Sequence, residues 1–80
     1  MAREIERLSA RRIATVRSAG YYADGGNLWL QVTPSGAKSW IFRFTLNGRP
    51  REMGLGSVDT FSLADARARA ADCRKQLGKL

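Results

Sequence analysis

The dipeptide Asn47-Gly48 constrains the fold of this chain more than any other part of its sequence. It separates two strand-like runs, and Asn-Gly at such a place is the strongest short-range signal for a β-hairpin, because a type I′ turn needs positive φ at both central residues. Since side chains alternate between the faces of a strand, counting outward from the turn assigns each pair to a face. The pairs predicted on the apolar face are Leu46 with Arg49, Phe44 with Arg51, Phe42 with Met53 and Trp40 with Leu55. The pairs predicted on the opposite, mixed face are Thr45 with Pro50, Arg43 with Glu52 and Ile41 with Gly54.

The segment before this hairpin predicts further antiparallel strands. The run LWLQV at 28–32 alternates between two faces, which is the pattern of a half-buried strand. The segment 33–37 has the length and composition of a loop between hairpin strands. Residues 24–27, DGGN, are predicted as a turn by composition, and the run 21–23 before them is strand-like but short. The sheet is therefore expected to have three or four strands, with 21–23 at an edge.

Two helices are predicted, one near each end of the chain. Ser9 is the candidate N-cap of a short helix from about Ala10 to Val16. Ser62 and Asp65 form the start pattern of a second helix, and Gly78 is its expected end. An apolar stripe with helical spacing follows this second start. The stripe consists of Leu63, Ala66, Ala70, Cys73 and Leu77, and the sheet residues that it is predicted to cover are Trp40, Phe42, Met53 and Leu55 with Leu28 and Leu30.

Together these elements predict one small α+β domain. Its antiparallel sheet of three to four strands has the C-terminal helix packed on one face and a short N-terminal helix beside it. Residues 1–8 are expected to form a flexible arm and residues 9–78 the folded domain. A chain of this length buries only about 60% of the surface that it exposes when unfolded, so modest stability is expected.

Composition limits the function to a few classes. The net charge is +7, which favours a polyanionic partner, nucleic acid before an anionic membrane surface.

The chain has no histidine and a single cysteine, Cys73, so the common zinc sites and an intramolecular disulfide are excluded. No carboxylate pair stands at a catalytic spacing, and we expect no enzymatic activity, no cofactor and no small-molecule substrate. No apolar run has membrane-spanning length and no signal-peptide pattern follows Met1, so a reducing cytoplasm is the expected location.

The mixed face of the predicted sheet carries the candidate binding residues. A two-stranded ribbon fits the major groove of B-DNA, where Arg reads guanine, Gln reads adenine and apolar groups contact the thymine methyl. Basic residues at the ends of the sheet are expected to contact phosphates. The face residues are Trp29, Gln31, Ser39, Ile41, Arg43 and Thr45, and the phosphate-contacting residues are Lys38, Arg49 and Arg51.

Four short motifs, in this order and spacing, resemble one known family. They are Asp24-Gly25-Gly26 followed by Leu28-x-Leu30-x-Val32; Ser35-Gly36-x-Lys38-Ser39-Trp40; Arg43-Phe44 ahead of Asn47-Gly48; and Met53-Gly54-Leu55-Gly56 with Ser62-Leu63-Ala64-x-Ala66-Arg67. The sequence is similar in these motifs to the N-terminal arm-type DNA-binding domain of prophage and genomic-island tyrosine recombinases, or integrases. The match extends over about residues 8 to 75.

The resemblance implies a sheet of three or four strands under a C-terminal helix, and binding to the arm-type sites that flank a recombination site. It also implies that catalysis belongs to a C-terminal domain, and that 79–80 begin the linker toward core-binding and catalytic domains. Three positions depart from the family pattern: Ile41 and Glu52 replace basic residues, and Asn27 replaces glycine. Glu52 is predicted to pair across the strands with Arg43.

The function predicted from these features is sequence-specific binding of double-stranded DNA by the sheet, inserted into the major groove. In an integrase such binding would position the recombinase at arm-type sites for integration or excision. One alternative is a protein-interaction module whose Trp29 and Ile41 contact a neighbouring integrase domain or subunit. A second alternative is an RNA-binding domain, which is disfavoured because no aromatic pair stands on the available face at base-stacking spacing.

Overall fold

A computed structural model describes residues 7–78, and its strands form one four-stranded antiparallel sheet. The chain order of the elements is α1 (Ala10–Thr15), β1 (Gly20–Gly25), β2 (Leu28–Val32), β3 (Lys38–Leu46), β4 (Arg49–Ser57) and α2 (Leu63–Leu77). The strands lie in the order β1-β2-β3-β4, so each pairs with its neighbour in sequence. The predicted α+β class is confirmed, with β1 as the fourth strand.

Of the predicted arm at 1–8 only Arg7 and Leu8 are described, and the predicted linker at 79–80 lies outside the described residues.

The β3–β4 hairpin turns at Asn47-Gly48 as predicted. Both residues have positive φ, 52° and 75°, as a type I′ turn requires. The predicted pairing is confirmed from Leu46 opposite Arg49 as far as Ile41 opposite Gly54. The prediction that Trp40 faces Leu55 is wrong: a β-bulge shifts the register, and Trp40 pairs with Gly56. A bulge leaves one extra residue on one strand, which here is Leu55, and the glycines on both sides of it are typical of such a place.

Gly56 has a packing role as well as a place in the bulge. Its φ is 119°, a conformation that side chains rarely adopt. A Cβ atom at this position would overlap the ring of Phe61. The Phe61 ring can therefore pass directly over the strand backbone only because residue 56 has no side chain.

The β1–β2 connection is shorter than the predicted turn at 24–27. Asp24 and Gly25 belong to β1, and the turn itself consists of Gly26 and Asn27, with φ of 60° and 73°. The register shifts between Ala23 and Gly25, which leaves Asp24 as the extra residue of a second irregularity. The prediction that Asp24 belongs to the turn is wrong, because Asp24 lies in β1 and its side chain, only 2% exposed, is inside the protein.

The face of the sheet that α2 covers, here called the covered face, contains the core. Trp40 and Phe42 are fully buried there, and the Nε1 of Trp40 donates a hydrogen bond to the Phe61 carbonyl oxygen at 2.9 Å. The buried alanines Ala66 and Ala70 let the helix lie close to the strands. The expectation that Met53 belongs to this core is wrong, since it is 44% exposed. It stands on β4, the edge strand of the sheet that residues 7–78 form, so its partner Phe42 is covered while Met53 is not.

The helix ends follow the local sequence closely. Ser9 caps α1 by accepting a hydrogen bond from the Arg12 N–H, and the helix ends at Thr15, one residue before the predicted end, with Val16 as its C-cap. Ser62 and Asp65 form a complete capping box at the start of α2, with both hydrogen bonds at 3.1 Å. The predicted end of α2 at Gly78 is confirmed as its C-cap.

Candidate nucleic-acid interface

The second face of the sheet, here called the open face, carries most of the predicted site residues. Strand alternation places them in register: Trp29 pairs with Ile41, and Gln31 pairs with Ser39. Neighbouring strands extend this face on both sides. The residues added by β1 are Tyr21 and Ala23, opposite Gln31 and Trp29, and those added by β4 are Pro50, Glu52 and Gly54, opposite Thr45, Arg43 and Ile41.

Arg43 is the central polar group of the open face. Its Nε lies 3.1 Å from Oε2 of Glu52, and the two side chains are 40% and 44% exposed, so the predicted cross-strand pair is confirmed. The guanidinium carbon also lies 4.9 Å from the ring centre of Tyr21 and 5.2 Å from that of Trp29. A cation over an aromatic ring gains about 0.5–1 kcal/mol at an exposed site, so the rings and the carboxylate together fix the guanidinium.

The turn residue Asn27 fixes the backbone beneath this side chain. The Arg43 N–H donates to the Asn27 carbonyl oxygen at 2.9 Å, and Asn27 Nδ2 donates to the Arg43 carbonyl oxygen at 2.8 Å. Asn27 occupies its turn position with positive φ, which asparagine tolerates better than most residues. The departure from glycine at this position therefore adds a side-chain hydrogen bond that supports Arg43.

Tyr21 and Glu52 belong to the open face but were absent from the predicted site. Tyr21, expected in the core or at an edge, is 43% exposed, and its hydroxyl oxygen accepts a hydrogen bond from Gln31 Nε2 at 3.3 Å. Glu52 was predicted only as the cross-strand partner of Arg43. Strand alternation could have assigned both residues to this face, but for Tyr21 only once the register of β1 was known.

An open groove of about 710 Å³ runs along one side of this face. It is lined on the sheet by Trp29, Arg43 and Thr45, and at its rim by Arg7 and Arg51. The N-terminal segment thus brings a further arginine to the same concavity as the predicted base-reading residues. The groove is open to solvent.

The predicted phosphate-contacting residues occupy different places. Lys38 shares the covered face with Trp40, and its Nζ donates to the Ile13 carbonyl oxygen at 2.6 Å, at the C-terminal end of α1. Arg49 and Arg51 are exposed beside the hairpin turn, opposite Leu46 and Phe44. The structure therefore brings Arg51 to the groove, leaves Arg49 at the tip of the hairpin, and holds Lys38 against α1.

A buried ion pair holds the N-terminal segment to the sheet. Arg67 of α2 donates to both carboxylate oxygens of Asp24 at 3.0 Å, and the Leu8 N–H donates to Asp24 Oδ1 at 2.8 Å. Arg67 also donates to the Leu8 carbonyl oxygen at 2.9 Å, and the Arg7 N–H donates to the Asp24 carbonyl oxygen at 3.0 Å. These bonds fix the place where the chain reaches the rim of the groove.

The ionisation of Asp24 follows from the same contacts. Burial by itself acts to raise the pKa of this carboxyl, but the hydrogen bonds from Arg67 and the Leu8 N–H, with the positive charges of Arg67 and Arg7, outweigh it. The net result is a pKa of Asp24 below its usual value of 3.8. Asp24 is consequently ionised near neutral pH and carries a full negative charge against Arg67.

Two further kinds of feature are absent from residues 7–78, a metal-ligand cluster and a membrane-spanning helix. These residues contain no group of three histidine, cysteine, aspartate or glutamate side chains that could hold a metal ion. Within the same range no helix is long and apolar enough to cross a membrane.

A basic antiparallel sheet with one helix-covered face and one open, polar and aromatic face defines the class of small sheet-based nucleic-acid-binding domains. More specifically, the chain belongs to the arm DNA-binding domain family, whose sequence profile matches residues 3–79. The resemblance inferred from the four motifs is thereby confirmed.

Phage and prophage integrases are similar to this chain. It is 32% identical over 76 residues to the integrase of Enterobacteria phage P4, an alignment that covers 89% of this chain and 17% of that relative. It is 33% identical over 54 residues to the integrase of Shigella phage Sf6 and equally to the prophage integrase IntS of Escherichia coli strain K12, covering 68% of this chain and 14% of each relative. The chain thus spans less than a fifth of the length of these relatives.

Proposed function

We propose that the open face binds double-stranded DNA by entering the major groove, and that it thereby positions an integrase at arm-type sites during integration or excision. The observation that carries this proposal is the guanidinium of Arg43, which stands at the centre of the open face and is held by one carboxylate and two rings. Membership of the arm DNA-binding domain family and the net charge of +7 also support DNA as the partner.

The dimensions of the β2–β3 ribbon suit the major groove. That groove is about 12 Å wide and admits a two-stranded ribbon, whose strands lie about 4.8 Å apart. The side chains that the ribbon presents match the major-groove groups: Arg43 for guanine, Gln31 for adenine, and Ile41 with the Thr45 methyl for thymine. Trp29 and Ser39 complete the contact surface along the two strands.

Phosphate contacts flank the base-reading residues in this arrangement. Arg49 and Arg51 approach one DNA backbone from the hairpin end, and Arg7 approaches from the rim of the groove. Lys38 reaches a phosphate only by exchanging its hydrogen bond to the end of α1, so we assign it the weakest contribution of this set. Catalysis belongs to another domain of the integrase, and this domain supplies binding alone.

Salt dependence tests the proposal as a whole. For B-DNA the logarithm of the binding constant falls against the logarithm of salt concentration with a slope of about −0.9 per phosphate contacted. Three phosphate contacts, by the three flanking arginines, predict a slope of about −2.7 in a fluorescence anisotropy titration with duplex DNA. Binding that is insensitive to salt, or no binding at low salt, would contradict the proposal.

Two arginine variants separate base reading from positioning. Arg43→Ala should remove the preference among duplexes at one base pair, while Arg49→Ala should weaken binding to all duplexes alike. Selection of bound sequences from a random duplex pool supplies the site for this comparison and shows whether it resembles an arm-type site. Equal losses on every sequence from both variants would reject the division of roles.

A further inference from the structure

We propose that Glu52 is a specificity-determining residue, which orients Arg43 to read a guanine and prevents it from serving as a general phosphate contact. This inference rests on the proposed function, since it assigns a role within the DNA-binding face. It starts from a feature that simple charge attraction does not explain: a carboxylate lies at the centre of the surface proposed to meet a polyanion. Such a group weakens non-specific attraction, so a positive role must come from its geometry.

The Arg43–Glu52 contact occupies one edge of the guanidinium and leaves the useful edge available. Glu52 Oε2 lies 3.1 Å from Nε, the donor nearest the chain. Within residues 7–78 the two terminal nitrogens of Arg43 have no hydrogen-bond partner. These terminal nitrogens form the planar fork that can bond O6 and N7 of guanine together. Glu52 thus restrains Arg43 without occupying the donors that read a base.

Three further residues, Tyr21, Trp29 and Asn27, limit the movement of this arginine. The rings of Tyr21 and Trp29 lie over its guanidinium carbon and limit rotation of the plane. Asn27 holds both backbone polar groups of Arg43, so the Cα position is fixed as well. An arginine side chain that is already ordered loses less entropy on forming a bidentate contact, and this preorganisation raises the affinity for the matching base.

The carboxylate also changes what the arginine prefers to bind. An isolated guanidinium binds any phosphate well, because the attraction is between full charges. Paired with Glu52, Arg43 presents a locally neutral unit whose remaining donors suit two neutral acceptors at fixed spacing. The pair therefore favours guanine over phosphate by lowering the competing interaction, which is how specificity is gained at some loss of general affinity.

The test uses three variants of the full 80-residue chain. Glu52→Ala removes both the charge and the acceptor, whereas Glu52→Gln removes the charge and keeps an oxygen that can accept from Nε. Asp72→Ala is the matched control, because it makes the same change in net charge on α2, on the covered side of the sheet. Each variant is titrated by anisotropy with four duplexes that differ at the one base pair whose preference Arg43→Ala abolishes, and with one unrelated duplex.

We expect the parent chain to prefer G·C at that pair by about 5- to 150-fold, the range of a good bidentate contact. Glu52→Ala should reduce the preference to about twofold or less while its affinity for the unrelated duplex rises at least as much as that of Asp72→Ala. Glu52→Gln should retain a preference between those of the parent and Glu52→Ala, and Asp72→Ala should retain that of the parent.

Several results would overturn the inference. An unchanged or increased preference in Glu52→Ala would show that Glu52 does not orient Arg43 toward guanine, and an equal loss in Asp72→Ala would show a general charge effect. If Arg43→Ala abolishes no base preference while the parent still binds duplex DNA, Arg43 reads no base and the inference fails alone. If the parent binds no duplex at all, the proposed function fails and the inference fails with it.

Discussion

Two arginine–carboxylate pairs of nearly the same length lie on opposite sides of the described domain. Arg67 and Asp24 are joined at 3.0 Å, with the carboxylate only 2% exposed, whereas Arg43 and Glu52 are joined at 3.1 Å with both side chains at 40% exposure or more. The first pair is saturated by further hydrogen bonds to the N-terminal segment, while the second leaves the terminal nitrogens of its arginine available. The distance between the charged atoms does not distinguish the two pairs. Their solvent exposure and the hydrogen-bond donors that remain unused distinguish a pair that holds the fold from one that can contact a ligand.

The two tryptophans of the chain repeat this contrast. Trp40 is fully buried on the covered face, and its indole N–H is bonded to Phe61. Trp29 is half-buried on the open face, where it lies beside Arg43 and pairs with Ile41. Strand alternation therefore gives one sheet a buried face that holds the core and an open face that is proposed to bind DNA. Substitutions on the two faces should consequently affect different measurements.

The largest difference is expected between the tryptophans. Trp40→Ala should lower the free energy of unfolding by about 3–5 kcal/mol, because it empties a fully buried site and removes a hydrogen bond. Trp29→Ala should cost at most about 1 kcal/mol, the scale of one cross-strand pair, yet weaken binding to duplex DNA. Urea unfolding and anisotropy titration measure the two effects. Equal loss of stability in both variants would contradict the separation of the faces.

A somewhat smaller difference is expected between the ion pairs. Asp24→Ala should destabilise the domain by about 3 kcal/mol, because it removes the buried carboxylate that accepts hydrogen bonds from Arg67 and from the Leu8 N–H. Glu52→Ala should change the free energy of unfolding by less than about 1 kcal/mol, as is usual for a pair open to solvent. Thermal or urea unfolding of the two variants beside the parent provides the comparison. A greater loss of stability in Glu52→Ala would reverse the assignment of the two pairs.

The pH dependence of stability sharpens the role of Asp24. Since the pKa of Asp24 is lower in the folded chain than its usual value of 3.8, its contribution is complete above that value and is lost as pH falls through the folded pKa. The parent should therefore lose stability on acidification below about pH 4, and Asp24→Asn, which has no carboxyl to protonate there, should lose less. Urea titrations at neutral and acidic pH measure the difference. An identical fall in both chains would show that Asp24 does not carry this dependence.

The parts of the fold that local sequence encodes could be predicted from it. The type I′ turn at Asn47-Gly48 and the capping box at Ser62 need only neighbouring residues, and both formed as expected. The alternation of β2 and β3 likewise assigned Trp29 and Arg43 to one face. These features share one property: the interactions that specify them span only a few residues of chain.

The errors arose where the determining partner is distant in sequence. Asp24 has the composition of a turn, but its partner Arg67 is on the last helix. The bulge at Leu55 accompanies the passage of Phe61 over Gly56, and the pairing rule around the hairpin turn contains no such information. Alternation placed Met53 on the covered face correctly, but it could not show that the helix leaves the edge strand exposed. The alternation of side chains along a strand shows on which face of the sheet a residue lies. Only the packed structure shows whether another element covers that residue.

The central claim, that DNA meets the open face, can be tested with the indole N–H signals of the two tryptophans. In a ¹⁵N-labelled chain titrated with the selected duplex, the signal of Trp29 should shift or broaden in proportion to the bound fraction. The signal of Trp40, buried beneath α2 and bonded to the Phe61 carbonyl, should remain in place. A titration in which the Trp40 signal and the amides of α2 move while the Trp29 signal stays fixed would place DNA on the opposite face and contradict the account.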